Sequence, residues 1–355
     1  MEKINITIDG QQIQVAKTAT VLEAAAQAGV KIPSLCYHPE LRPEGCCRVC
    51  MVEVQGAKTL VPACVYPVNE GMVVRTNTPA VREARKVVVE LMLANHPQDC
   101  LTCQRNQNCE LQSIAGQLGI REIPVHGAKK NHPLDANNPS LVRDQNKCIL
   151  CGRCIRACSE RQGVHVYTFA QRGFNTVVTP AFNVGLEDAA CTYCGQCASV
   201  CPTAAIVEKD DTDAVYAAIA DPQKHVVIQT SPATRVAFGE EVGYEPGSIV
   251  TGKMVAALRR LGFDKVFDTD FTADLTILEE GNEFIKRVTE GGVLPMITSC
   301  SPGWVNFMEL MYPDLLAHLS SCKSPQGMFG ALVKTYYAEK AGIDPKDIVS
   351  VSMMP

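Results

Sequence analysis

Tryptophan occurs once, at Trp304, and aromatic residues are only 6% of the 355. No apolar run approaches the ~20 residues that a membrane-spanning helix needs. The opening stretch MEKINITIDG has charged and polar residues early and no apolar h-region, so no secretory leader is expected. Basic residues are scattered and the formal charge is −5, which removes the electrostatic footprint of a nucleic-acid binder. No G-x-G-x-x-G loop follows a strand-like run, so a nicotinamide site is expected on another polypeptide. These absences leave a chain with no nucleic-acid partner and no membrane span, expected in the cytoplasm.

Cysteine, by contrast, is abundant, with 18 residues. Fifteen of them and one histidine fall into four groups before residue 202. The first is Cys36-x10-Cys47-x2-Cys50-x13-Cys64, and the second is His96-x3-Cys100-x2-Cys103-x5-Cys109. The third is Cys148-x2-Cys151-x2-Cys154-x3-Cys158, and the fourth is Cys191-x2-Cys194-x2-Cys197-x3-Cys201 followed by Pro202. Disulfides are not expected, because CxxC clustering without a leader belongs to a reducing compartment where thiols stay free for metal.

The third and fourth groups match the bacterial ferredoxin run, in which the fourth cysteine ligates the other cluster. Cys148, Cys151, Cys154 and Cys201 are therefore expected to hold one 4Fe–4S cluster. Cys191, Cys194, Cys197 and Cys158 are expected to hold a second. The first group resembles plant-type 2Fe–2S spacing with a longer first gap. Cys46 or Cys47 could supply its second thiolate; Cys47 keeps the C-x2-C step to Cys50 and leaves Cys46 as a packed thiol. Spacing alone leaves zinc as the alternative for this group. In the second group His96 stands at a helix end, where a lone histidine is usually a cap or a surface residue. Three cysteines close behind it make it a candidate ligand of a third 4Fe–4S cluster, whose potential imidazole would shift.

Four domains follow. Residues 1–78 read as a β-grasp 2Fe–2S ferredoxin domain: a hairpin over 4–15 turning at Asp9-Gly10, a helix from Thr20 to Gly29, and a strand at Met51–Val54. Residues 79–124 begin with an amphipathic helix over 79–95 that delivers the histidine-plus-three-cysteine group. A Pro- and Asn-rich connector spans 125–140. Residues 138–209 form the two-4Fe–4S ferredoxin domain, and Asp210-Asp-Thr-Asp213 marks a boundary. Residues 210–355 alternate strands (225–229, 265–267, 293–297, 348–353) with helices (251–261, 284–289), an α/β pattern. The whole is α+β and multi-domain.

The order of the four groups, together with Thr298-Ser-Cys-Ser-Pro-Gly-Trp304, Ser320-Ser-Cys-Lys-Ser-Pro-Gln326 and Ser350-Val-Ser-Met-Met-Pro355, resembles the iron–sulfur-rich subunit of FeFe hydrogenases. The NAD-linked, electron-bifurcating type is the nearest resemblance. The iron–sulfur subunits of complex I and formate dehydrogenases are similar over less of the chain. The resemblance implies an anaerobe's oxidoreductase complex with flavin/NAD(P)H-binding and iron–sulfur partner subunits, ferredoxin, and a hetero-oligomeric assembly. It implies a final, partial hydrogenase-like α/β domain in which Cys300, Glu280, Glu283 and Ser320 stand at proton-path positions. As bare residues the carboxylates would be surface groups and Ser320 a helix cap. Ser301 takes the position of a di-iron-centre ligand, and a hydroxyl is a poor substitute for a soft thiolate on iron.

One 2Fe–2S and three 4Fe–4S clusters are thus expected, with a di-iron centre not expected in the chain as given. Its expected role is electron transfer within a hydrogenase-like, NAD(P)H/ferredoxin-linked complex. The alternatives are a piece of an intact hydrogenase subunit catalysing 2H⁺ + 2e⁻ = H2, or a complex I/formate dehydrogenase-type subunit. Loops 231–247 and 298–304, including Trp304, are expected to line the cavity of the last domain. Lys323 is expected to be a surface charge at a helix start.

Overall fold

In the computed structural model, which describes residues 2–354, the chain divides into two units, up to Lys209 and from Asp210. The first begins with β1 (Lys3–Ile8) and β2 (Gln11–Ala16), antiparallel with Ile4 opposite Val15. Ile4, Ile6 and Ile8 alternate with exposed or half-exposed neighbours and are buried, as a one-faced strand requires. The chain reverses at Asp9 (φ 47°) and Gly10 (φ 88°), the left-handed pair that suits a tight hairpin. Helix α1 (Val21–Gln27) starts at Thr20, whose side chain accepts from the Glu23 N–H while the Glu23 carboxylate accepts from the Thr20 N–H. Its Val21, Leu22, Ala24 and Ala25 cover the sheet.

Strands β3 (Met51–Val54), β4 (Val61–Pro62) and β5 (Val73–Arg75) complete a sheet of order β2-β1-β5-β3-β4, with β1 and β5 parallel. That parallel pair beneath a crossing helix is the β-grasp arrangement. Helix α2 (Pro79–Ala94) has Thr78 as cap and Pro79 in its first turn, where a missing N–H costs nothing. It is pinned to β3 by Arg85, whose Nη2 donates to the Met51 carbonyl at 2.8 Å. Helix α3 (Glu110–Gln117) packs on it through Leu111 and Ile114.

The rest of this unit is built on short elements: β6 (Leu141–Arg143), α4 (Arg153–Arg156), β7 (Thr168–Ala170), β8 (Val177–Thr179), α5 (Gln196–Ser199) and β9 (Ile206–Glu208). β6 pairs with β9, so the two halves of the cysteine repeat close on each other.

The second unit contains α6 (Thr212–Ala220), β10 (His225–Thr230), α7 (Thr234–Glu241), α8 (Thr251–Leu261), β11 (Lys265–Asp268) and α9 (Asp270–Glu290). It continues with α10 (Pro302–Met311), α11 (Pro325–Leu332), α12 (Ala338–Ala341) and β12 (Ile348–Met353). Its sheet is parallel, in the order β11-β10-β12. Val226 and Ile228 face a layer with Met254 and Leu258; Val227 faces Phe329 and Val333. A strand covered on both sides reads as a continuous apolar run, which is why HVVIQT stands out.

Three expectations need correction. Residues 293–297 are not a strand: Pro295 cannot donate to a ladder, Val293 and Leu294 are exposed, and only Ile297 makes a bridge, to Leu319. The helix expected at 284–289 is the end of α9, which runs from Asp270 with its interior Gly281 tolerated. The expected loops are partly helical, since α7 occupies 234–241 and Trp304 lies in the first turn of α10, stacked on Phe307 at 6.1 Å. Lys323 is exposed beside the start of α11.

Candidate metal centres and a polar site on the long helix

The two halves of the cysteine repeat share one backbone device. Leu150 and Gly152 in the first, and Tyr193 and Gly195 in the second, all have φ between 55° and 75°. These turns wrap the chain around its thiols, and the Leu150 N–H points at the Cys148 sulfur at 3.4 Å. At Gly152 the positive φ favours glycine, and an added Cβ would need only the Glu44 carboxylate, 3.0 Å away, to shift. The crossing of the repeat brings Cys148, Cys151, Cys154 and Cys201 around one void, beside Ile149 and Ile206. Cys158, Cys191, Cys194 and Cys197 surround a second void, beside Val164 and Tyr167. Among the described residues, no three Cys, His, Asp or Glu side chains converge on a single ion-sized point. The thiols line voids instead, which fits clusters.

Burial raises these thiols: Cys148 to about 11, Cys151 and Cys197 to about 12, and Cys154, Cys158 and Cys191 also upward. A protonated buried thiol gives up its proton when it ligates metal, so filling either void releases protons. Tyr167, buried and pushed upward by that burial, places its hydroxyl 3.8 Å from the Cys197 sulfur.

In the first group Cys36, Cys47, Cys50 and Cys64 are buried. Hydrogen bonds from Cys46, Cys47 and Cys64 pull the Cys36 thiol down, and a bond with Cys64 pulls Cys50 to about 7. Cys46 as a residue is exposed, but its sulfur is turned inward, hydrogen-bonded to the Cys36 thiol and 3.5 Å from the Cys151 carbonyl. In the second group Cys100, Cys103 and Cys109 follow one another around a short turn and the start of α3. His96 lies just beyond α2, and burial lowers its pKa, which keeps the imidazole neutral and its lone pair available.

These groups meet. Cys36, Cys47 and Cys151 belong to one apolar cluster with Leu35, Val89 and Leu111, and Cys109 packs against it. The Glu110 N–H donates to the Pro202 carbonyl at 3.0 Å, and Lys147 pairs with Asp99 at 3.6 Å. The Cys148/Cys151/Cys154/Cys201 void therefore has the β-grasp cysteines on one side and the histidine group on another. Two buried arginines that sequence reasoning missed, Arg153 and Arg156, tie this region together. Arg153 pairs with Glu110 at 2.6 Å and donates to the Tyr37 carbonyl at 2.6 Å. Their only sequence signal is two cations three apart inside C-G-R-C-I-R-A-C.

In the second unit Glu283 on α9 is the centre of a polar knot. Its carboxylate accepts from Ser320 Oγ at 2.8 Å, the Ser321 N–H at 3.0 Å and Arg287 Nη2 at 2.6 Å. Burial acts to raise its pKa, but the bonds from Ser320, Arg287 and Ser321 outweigh that and lower it to about 2. The Cys322 sulfur lies 3.6 Å from Glu283 Oε2, and burial together with the charges of Glu283 and Glu280 pushes this thiol up. Cys300 is exposed; its neighbour Ser299 donates to the Cys322 carbonyl at 2.8 Å, which ties the loop to the knot. Ser301 is exposed at the start of α10 with no side-chain cap bond. Sequence reasoning missed Arg287 and Ser321, although Glu283 and Arg287 are a readable i,i+4 pair.

Comparison with known proteins matches residues 224–355 to the iron-only hydrogenase large subunit, C-terminal domain. Residues 1–79 match a 2Fe-2S iron-sulfur cluster binding domain, residues 85–124 the NADH-ubiquinone oxidoreductase-G iron-sulfur binding region, and residues 147–205 a 4Fe-4S dicluster domain. The NADP-reducing hydrogenase subunit HndD of Solidesulfovibrio fructosivorans is 49% identical over the whole chain, which spans 63% of that relative. Iron hydrogenase 1 of Clostridium pasteurianum is 39% identical over 99% of the chain, which spans 61% of it. Among solved structures, an NAD+-reducing NiFe-hydrogenase in the H2-reduced state matches with TM-score 0.55 and 31% identity. That match covers 58% of this chain and 87% of that one. Among the described residues, no helix is long and apolar enough to cross a membrane.

Proposed function

The chain is a relative of the iron–sulfur-rich subunits of iron-only hydrogenases, and we propose that it conducts electrons through four iron–sulfur clusters in a hydrogenase-like, NAD(P)H- and ferredoxin-linked complex. The observation that carries this reading is the crossed gathering of eight thiols around two voids, with the other two groups beside the first void. Cys36, Cys47, Cys50 and Cys64 would hold a 2Fe–2S cluster, and His96, Cys100, Cys103 and Cys109 a 4Fe–4S cluster. Cys148, Cys151, Cys154 and Cys201 would hold a second 4Fe–4S cluster, and Cys158, Cys191, Cys194 and Cys197 a third. The clusters supply one-electron transfer when bound. The protein's part is to bury the thiols, aim N–H groups at sulfur and exclude water.

We divide the chain at 1–78, 79–124, 138–209 and 210–355 on the same reasoning. Electron bifurcation, flavin-bearing partner subunits and a cytoplasmic location belong to this proposal on the motif resemblance alone, while the similarity to an NADP-reducing hydrogenase subunit supports the nicotinamide link. In the last domain, Glu283 is a fixed anion and Cys300, Glu280 and Ser320 are candidate proton-path groups. The hydroxyl of Ser301 does not fit a soft iron centre, and no step of hydrogen chemistry is routed through it.

The test is infrared spectroscopy of the anaerobically purified native complex, with iron and sulfide analysis of this subunit separated from its partners. Iron and sulfide matching one 2Fe–2S and three 4Fe–4S clusters, without metal-bound CO and CN⁻ bands, is the expected result. Bands that shift under H2 would make the complete protein a hydrogenase. Iron far below the four-cluster content would overturn the electron-transfer reading itself.

A further inference from the structure

We infer that Arg156 is the positioning residue for the electron step between the 2Fe–2S group and the Cys148/Cys151/Cys154/Cys201 group. The inference rests on the reading of those thiols as cluster ligands. Arg156 is only 2% exposed, although arginine is almost never fully buried without partners. A single nitrogen, Nη2, donates to the Cys36 carbonyl at 2.8 Å and to the Cys151 carbonyl at 3.2 Å. These carbonyls belong to ligand residues of two different groups. Nη1 donates to the Arg42 carbonyl in the same loop. The Cys46 sulfur approaches the Cys151 carbonyl as well, at 3.5 Å.

Two physical consequences follow. The planar guanidinium fork holds its acceptors at fixed directions, so the two ligand backbones cannot part without breaking bonds in a buried place. The cation also lies between two groups that become more negative on reduction, and it favours the reduced form of each. Arg153, three residues earlier, differs in the point that matters. Its charge is met by Glu110 at 2.6 Å, whereas the carboxylate nearest Arg156 is Glu44 at 3.5 Å and every hydrogen bond of Arg156 goes to a carbonyl. Both arginines are ion-paired, but Arg153 donates directly to its carboxylate, whereas the Glu44 partner of Arg156 stands further off, so Arg156 is the less fully compensated cation. In the step itself one cluster loses an electron and the other gains it; no bond forms, and the guanidinium keeps its protons throughout.

The experiment uses the full chain, anaerobically purified with its clusters. EPR-monitored redox titration gives the potentials, and rapid-freeze EPR after reductant mixing gives the rate between the two groups. In Arg156→Gln the reduced-to-oxidised ratio of the 2Fe–2S signal at a fixed potential falls about tenfold, a shift of about 59 mV for one electron. The neighbouring 4Fe–4S signal moves the same way. Arg156→Lys keeps the cation but not the fork, so it retains most of the potential and slows the intercluster step. Arg82→Gln, on the exposed face of α2, changes neither. An Arg156→Gln protein that binds full iron with both potentials and the rate unchanged overturns the inference. Should that variant fail to load iron, an Arg156→Lys protein with an unchanged rate overturns it. A wild-type chain lacking the 2Fe–2S or 4Fe–4S signals would sink the ligand reading instead.

Discussion

The carboxylate of Glu283 accepts a hydrogen bond at 2.8 Å from Ser320 Oγ, 37 residues further along the chain. This bond joins α9 to the loop before α11 and, with Arg287, holds the Glu283 carboxyl well below the usual carboxylate range. Glu283→Gln keeps the shape and removes the charge, so the second unit should lose about 1.5–3 kcal/mol, the scale of hydrogen bonds to a charged group. A carboxyl with a lowered folded pKa contributes its stability above the unfolded value, 4.5, and loses it as the pH falls through about 2. Denaturant unfolding should therefore separate the two proteins at pH 7 and bring them together towards pH 2. Equal stability at pH 7 would remove Glu283 from this role.

Ligand crossing has its own signature. Cys148→Ser and Cys201→Ser should remove the same EPR signal, because their sulfurs line one void. Cys158→Ser and Cys191→Ser should remove another. If Cys201→Ser instead abolished the signal lost in Cys197→Ser, the clusters would follow the sequence order and the crossed assignment would be wrong.

Cys46 and Cys47 are adjacent in the chain but not in environment, since Cys47 is buried and Cys46 is exposed. Cys46→Ala should preserve the visible absorption of the 2Fe–2S group and its iron content. Cys47→Ala should bleach that absorption and lower the iron by about one 2Fe–2S cluster. The reverse result would exchange their roles.

Replacing His96 with cysteine adds a negative ligand in place of a neutral imidazole. The midpoint potential of that cluster should fall, by the logic that makes histidine-ligated centres more oxidising. EPR titration of His96→Cys reads this directly, and a signal at the wild-type potential would mean that His96 is not a ligand.

Local patterns carried much of the fold. The alternation Ile4-Ile6-Ile8 around Asp9-Gly10, the Thr20…Glu23 capping pair and Pro79 each act within a few residues, so the elements they specify were readable. Residues 293–297 looked like a strand because hydropathy does not register that Pro295 lacks a donor. Helix α9 is legible only at its end, because Thr272, Thr276 and Gly281 are weak helix formers, and the two threonines are held by burial that no local pattern shows. Arg153 and Arg156 could not have been foreseen in the interior. Their burial depends on acceptors at Tyr37, Cys36 and Glu110, which no local pattern brings near. The same holds for the knot at Glu283: its i,i+4 partner Arg287 is local, but Ser320 and Ser321 arrive from a distant loop.

The meeting of Cys36, Cys109 and Cys151 around one apolar cluster bears on how such a protein would fail. A series of centres strung end to end stops working when any member is damaged. A fork does not. If the four groups hold clusters as proposed, losing the one behind the exposed Cys46 loop would leave the branch through His96 joined to the ferredoxin-like half, and the damaged molecule would keep part of its traffic.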